Sequence, residues 1–66
     1  MKFIWYNPDE DSYQKGGMET YKSLSESSKN SDRFDILYEF PDSSDFLIDK
    51  ILNSLNLVRK ETVTTN

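Results

Sequence analysis

Length, composition and charge already exclude several classes of protein. The chain has 66 residues, which is room for one small domain and no second. It contains no cysteine and no histidine, so disulfides, thiolate or imidazole catalysis and zinc sites built from those residues are excluded. Its formal net charge of −4 opposes attraction to phosphate backbones and to anionic membranes. We therefore expect neither direct nucleic-acid binding nor membrane binding.

The N-terminal segment predicts a β-hairpin. Residues 2–6 contain Phe, Ile, Trp and Tyr, which favour extended structure, and they predict a first strand, β1. Asn7-Pro8 then imposes a turn, and residues 12–15 return antiparallel as a short second strand, β2. The apolar start of the chain is too short for a signal peptide or a membrane span, so we expect a cytoplasmic protein.

A short amphipathic helix, α1, is predicted over residues 18–28. Its apolar residues Met18, Tyr21 and Leu24 recur every three positions, and Gly17 can serve as the N-cap. Several serines in its second half have low helix propensity. We therefore expect this helix to depend on docking and to fray at its C-terminal end.

The segment 34–40 predicts a third strand, β3, which ends at Pro41. Alternation places four apolar side chains on one face of this strand: Phe34, Ile36, Tyr38 and Phe40. The opposite face then carries Asp35, Leu37 and Glu39.

The strongest helical pattern lies in the C-terminal third and predicts helix α2, ending near Lys60. Its apolar positions recur with helical period: Leu47, Ile48, Ile51, Leu52, Leu55 and Val58. The opposite face is polar and carries Asp45, Asp49, Asn53, Asn56 and Lys60. Asp42, Ser43 and Ser44 are alternative N-caps. We expect Ile51 and Leu55 to be buried against the sheet.

The element order β-β-α-β-α favours an α+β fold. A hairpin followed by a right-handed crossover gives a three-stranded antiparallel sheet of order 2-1-3. Both helices are then expected to pack on one face of that sheet. We predict a single domain over residues 1–60 and a polar tail over residues 61–66.

No motif in the sequence predicts catalysis, a metal or a cofactor. The acidic run 9–11 fails the EF-hand pattern, because Gln14 stands where glycine is required and Thr20 where the bidentate acid is required. Gly16-Gly17 lacks the Lys-Ser/Thr of a phosphate-binding loop. Two carboxylate pairs, Asp35 with Glu39 and Asp45 with Asp49, are better explained as solubilising surfaces. We therefore expect no enzyme activity and no small-molecule substrate.

Protein binding is the function that remains. Strand β1 carries large apolar side chains on both faces, so helices on one face would leave the other uncovered. Ile4, Tyr6 and Leu37 would then form an exposed patch, which we predict to be the interface with a second copy or with another protein. This interpretation describes a small acidic protein-binding module, accessory or regulatory, that forms a homodimer or binds a protein partner.

An acidic inhibitor or nucleic-acid mimic is the alternative function. Six acids are spaced three or four residues apart and could imitate a phosphate backbone on one helix: Asp32, Asp35, Glu39, Asp42, Asp45 and Asp49. Pro41 and the alternating pattern of residues 34–40 interrupt such a helix. The chain has no alanine and is rich in Asn, Lys and Ile, as expected from the AT-rich coding sequence of a low-GC bacterium or phage.

Overall fold

The fold is a three-stranded antiparallel sheet with one helix on each side. A computed structural model of the chain describes residues 1–42 and 44–64, with the side chains of those residues up to Lys60. The elements are β1 Lys2–Asn7, β2 Ser12–Gly16, α1 Met18–Glu26, a 3-10 turn Ser31–Arg33, β3 Ile36–Phe40 and α2 Asp45–Thr64. The strand order is β2-β1-β3. The α+β class, the antiparallel sheet and the strand order predicted from the sequence are confirmed.

The hairpin loop between β1 and β2 is organised by Asn7. Its side-chain oxygen accepts hydrogen bonds from the backbone N–H groups of Asp9 and Glu10, at 2.9 and 3.1 Å. Its amide donates to Gln14 Oε1 at 2.9 Å, which ties the loop to β2. Asp11 adopts a φ of 54°, a left-handed conformation that aspartate tolerates and that turns the chain back. The polar residues after β1 therefore form the turn that the sequence predicted.

One face of the sheet holds an aromatic cluster, which α1 covers. Phe3, Trp5 and Phe34 are buried there. Tyr21 of α1 packs edge-on against Trp5, with ring centroids 5.5 Å apart, and its hydroxyl donates to the carbonyl of Phe34. The thin apolar side of α1 thus docks through a single aromatic ring.

The opposite face is covered by α2, so the prediction that both helices share one face is wrong. Lys2, Ile4 and Tyr6 alternate with the aromatic cluster along β1, and α2 contacts this second set through Lys2 and Tyr6. The molecule measures 37 × 31 × 12 Å, and its shortest dimension is close to the width of a three-stranded sheet, roughly 10 Å. The two helices lie on opposite faces because β1 is apolar on both faces, and each face needs its own cover.

Strand β3 departs from simple alternation at Leu37. Ile4 lies opposite Tyr38, whereas Trp5 lies opposite Ile36, so Leu37 has no counterpart in the register. A bulge of this kind moves the following side chains to the other face. Ile36 therefore packs against the aromatic cluster and Tyr38 lies on the face of Ile4. The prediction that residues 34, 36, 38 and 40 share one face is wrong, and the strand begins at Ile36.

The capping residues in the sequence correctly predicted where both helices begin, but both helices end at other residues than predicted. Gly17 is the N-cap of α1, and Ser44 Oγ accepts from the backbone N–H of Leu47 at 3.4 Å in the first turn of α2. Helix α1 ends at Glu26, where the backbone N–H of Ser28 bonds the Ser25 carbonyl three residues back, at 3.2 Å, and no longer follows the α-helical pattern. Helix α2 continues to Thr64.

The continuation of α2 means that the predicted tail boundary at residue 60 is too early. Residues 61–64 are helical, while residues 65 and 66 of the predicted tail lie outside the described residues. The apolar period is lost after Lys60, but a helix without apolar packing still keeps its backbone hydrogen bonds. Neither glycine nor proline follows Lys60, so no residue there breaks the helix.

Candidate functional site

Two ion pairs join the N-terminal part of α2 to strands β1 and β2 of the sheet. Lys2 Nζ lies 3.2 Å from Asp45 Oδ1, and Lys15 Nζ lies 2.5 Å from Asp49 Oδ1. The Asp49 carboxylate raises the pKa of Lys15 through a hydrogen bond. These pairs are solvent-exposed, so each contributes little by itself, but together they set the direction of the helix across the sheet.

Asn56 caps the outer edge of β2 at Tyr13. Its Oδ1 accepts from the backbone N–H of Tyr13 at 2.7 Å, and its Nδ2 donates to the carbonyl of the same residue at 3.1 Å. One side-chain amide thus occupies the positions that a fourth strand would use. From the sequence pattern Asn56 was expected only on the polar face of α2, and this capping role was not predicted. Its position seven residues after Asp49, on the same side of the helix, is the signal that could have shown it.

Arg59 forms a cluster with Asp11 and Tyr6 at the C-terminal part of α2. Its guanidinium lies over the Tyr6 ring, 4.7 Å from the centroid, and bonds both the Tyr6 hydroxyl and the Asp11 carboxylate. The Tyr6 hydroxyl donates to Asp11 at 2.5 Å. That hydrogen bond, followed by the one from Arg59, lowers the pKa of Asp11, and it raises the pKa of Tyr6. The cluster fastens the hairpin loop to the helix.

A groove of about 490 Å³ runs beside α2. It is lined by Tyr13, Lys50, Ile51, Ser54, Leu55, Val58 and Arg59. Ile51 and Leu55 were expected to be buried, but they are half-buried in this groove, and Ile48 is the fully buried residue among residues 45–60 of the helix. None of the lining residues is a carboxylate. The groove can therefore bind apolar surface, but it does not hold the paired acids of a hydrolase.

The side of α2 that borders this groove carries a mainly apolar stripe, which we call the α2 stripe. It consists of Leu47, Ile51, Ser54 and Val58, spaced by four, three and four residues. This spacing places the four side chains along one side of a helix, as in a coiled-coil seam. Leu47 is 46% exposed and Val58 is 61% exposed. The helix thus presents apolar side chains to solvent over most of its length.

The interface predicted from the sequence does not form one exposed patch. Ile4 is fully buried within the chain, because α2 covers its face. Tyr6 is half-buried under Arg59, whereas Leu37 is 45% exposed on β3. Exposed apolar side chains lie both on β3, at Leu37 and Tyr38, and on α2, at Leu47 and Val58.

The acidic residues are divided among separate surroundings. Asp9 accepts from Asn30 Nδ2 at 2.8 Å, and hydrogen bonds from Ser28 and Asn30 lower its pKa. Within residues 1–42 and 44–60, no three acidic side chains converge as a metal site would require. Asp45 and Asp49 are paired with lysines, and the other four acids of the predicted stripe lie outside α2, so the six acids do not lie along one helix.

Comparison with known protein families, with characterised proteins and with solved structures finds no match to this chain. No helix in the described part of the chain is long and apolar enough to cross a membrane.

Proposed function

We propose that this chain is a small protein-binding module that self-associates through the α2 stripe and has no catalytic role. The observation that carries the proposal is the exposure of Leu47 and Val58 on a helix whose other side is already docked on the sheet. Exposed apolar surface on a small soluble chain marks a site of association. The role in this proposal is accessory or regulatory, because the module binds another chain and catalyses no reaction.

The α2 stripe is suited to a two-fold contact with a second copy. When two such helices pack antiparallel, Leu47 of one copy lies opposite Val58 of the other, and Ile51 lies opposite Ser54. The small serine leaves room for the larger isoleucine. A stable interface buries about 800 Å² on each partner. The chain exposes 4807 Å², so such a contact would cover about one sixth of its surface.

The test measures mass in solution with variants of the stripe. Light scattering behind a sizing column is expected to give about twice the 7.8 kDa chain mass for the unmodified protein at about 100 μM. Leu47→Glu and Val58→Glu are expected to give a monomer, because each places a charge in the apolar contact. Both positions are exposed, so circular dichroism should show an unchanged fold.

Leu24→Glu is the matched control, since Leu24 is an exposed leucine on the other helix. It is expected to leave the dimer intact. A single-chain mass for the unmodified protein would overturn self-association. A dimer that persists in Val58→Glu would overturn the assignment to the α2 stripe.

A further inference from the structure

The outer edge of β3 is an open strand edge. β3 is the last strand of the sheet, and no strand in the described part of the chain pairs with its outer side. The other outer edge, on β2, is capped by Asn56 at Tyr13. The two outer edges of the sheet therefore differ: α2 caps the β2 edge at one residue, and no such cap is seen on β3 within the described residues.

The register shows which backbone groups of β3 point outward. Tyr13 bonds Asn56 with its backbone, so its cross-strand neighbour Tyr6 directs its N–H away from β2, to the Asp35 carbonyl at 3.0 Å. Alternation along β1 then directs the backbone of Ile4 toward Tyr38. The next residue of β3, Glu39, therefore directs its N–H and C=O to the open side.

The side chains along this edge combine apolar surface with negative charge. Leu37 and Tyr38 are 45% and 46% exposed. Asp35, Glu39 and Asp42 are exposed and make no ion pair within the described residues. Residues 32–42 contain four acids and one arginine, a net charge of −3. A strand edge with outward backbone groups and this negative charge is complementary to a strand that carries basic side chains.

We infer that the β3 edge binds an extended basic segment of another protein by strand addition. Backbone hydrogen bonds to the outward groups of β3 supply affinity in this mode, and alternate side chains supply specificity. Tyr38 and Glu39 point to opposite faces of the sheet. The bound segment should therefore alternate an apolar residue, opposite Tyr38, with a lysine or arginine, opposite Glu39.

Charge argues against a second copy as the occupant of this edge. Pairing β3 with β3 of another copy would bring two segments of net charge −3 together. The negative charge of Glu39 also discourages such edge-to-edge pairing between copies. The β3 edge is thus distinct from the α2 stripe, and the inference does not depend on self-association.

The experiment titrates fluorescent heptapeptides of alternating lysine and valine into the full chain and follows anisotropy. We expect binding at low salt that weakens as salt is raised, with amide shifts in NMR spectra confined to β3 and its neighbours. A peptide of alternating glutamate and valine should not bind. Methylating alternate backbone nitrogens of the lysine peptide should abolish binding, because it removes the backbone N–H donors that strand addition needs. The positive charge of the peptide is unchanged by this modification.

Two variants complete the test. Glu39→Lys should weaken binding of the lysine peptide by about tenfold or more and improve binding of the glutamate peptide. Val58→Glu is the matched control on the α2 stripe and should bind the lysine peptide as the unmodified chain does. Absence of binding, or equal binding of the methylated peptide, would overturn strand addition. A changed chain mass in Glu39→Lys with unchanged peptide affinity would assign the edge to a second copy instead.

Discussion

Gly16 and Gly17 are adjacent, but they lack a side chain for different reasons. A Cβ on Gly16 would lie 2.9 Å from Trp5 Cη2, inside the aromatic cluster, and 3.4 Å from Thr20 Cβ. A Cβ on Gly17 would have no atom within 4 Å. At Gly16 the indole packs against the β2 backbone, whereas Gly17 serves only as the N-cap of α1.

These distances predict different outcomes for the two alanine variants. Gly16→Ala should lower the free energy of unfolding by about 1 to 3 kcal/mol, because the buried Trp5 ring must shift. Gly17→Ala should remain within about 1 kcal/mol of the unmodified chain, since reduced unfolded-state entropy offsets a poorer N-cap. Urea unfolding followed by tryptophan fluorescence measures both. Equal losses in the two variants would show that the close approach at Gly16 is not the cause.

At the scale of elements, the seating of α2 over β2 determines which sheet edge is available. Asn56 bonds both backbone groups of Tyr13, and Asp49 pairs with Lys15 of the same strand. The helix therefore leans toward β2 and leaves Tyr38 of β3 partly exposed. The capped edge on β2 and the open edge on β3 therefore both follow from the way in which α2 docks on the sheet.

Removal of the Asn56 amide tests this geometry. Asn56→Ala should lower the free energy of unfolding by about 1 to 2 kcal/mol, since it removes two hydrogen bonds and uncovers the β2 edge. Asn53→Ala, an exposed position on the same helix, is the matched control and should change stability by less than about 0.5 kcal/mol. Thermal unfolding of the two variants supplies the comparison. Similar melting temperatures would contradict the capping role.

For the molecule as a whole, polar contacts supplement a small core. The buried apolar residues are Phe3, Ile4, Trp5, Phe34 and Ile48. A chain of this length buries only about 60% of the surface that its unfolded form exposes, so its stability is marginal. The cluster of Arg59, Asp11 and Tyr6 therefore matters, because it joins residues 48 and 53 positions apart.

The lowered pKa of Asp11 predicts that acid reduces the stability of the folded chain. A carboxylate whose pKa is lower in the folded state contributes stability above its unfolded value, here near 3.8, and loses that contribution as pH falls through the folded value. The lowered pKa of Asp9 acts in the same direction. The unmodified chain should therefore lose stability as pH falls below about 4.

Asp11→Asn should be less stable at neutral pH and should lose less stability on acidification. Denaturant unfolding at neutral pH and at pH 3 measures the difference. Glu10→Gln removes one negative charge from the same loop and separates the effect of the Arg59 contact from that of net charge. An Asp11→Asn variant with the full acid response of the unmodified chain would contradict the role of this cluster.

Local interactions account for what the sequence by itself determined. Alternation in residues 2–6 and the period of residues 47–58 arise within a few residues of each position, and so does capping by Ser44. The two helices, the three strands and their order could therefore be predicted, and the absence of cysteine and histidine excluded whole classes of chemistry. The apolar character of both faces of β1 was also evident from the sequence.

Only the tertiary structure decided which element covers each face of β1. The sequence shows that Ile4 needs cover, but it does not say which of the two helices supplies it, and α2 does so through contacts as distant as Lys2 with Asp45. The candidate surfaces depend on that choice. Docking α2 on the face of Ile4 buries that residue of the predicted interface, leaves part of the α2 stripe exposed and leaves the outer edge of β3 uncapped. Short-range patterns do not encode such docking, because its free energy comes from pairs of residues far apart in the chain.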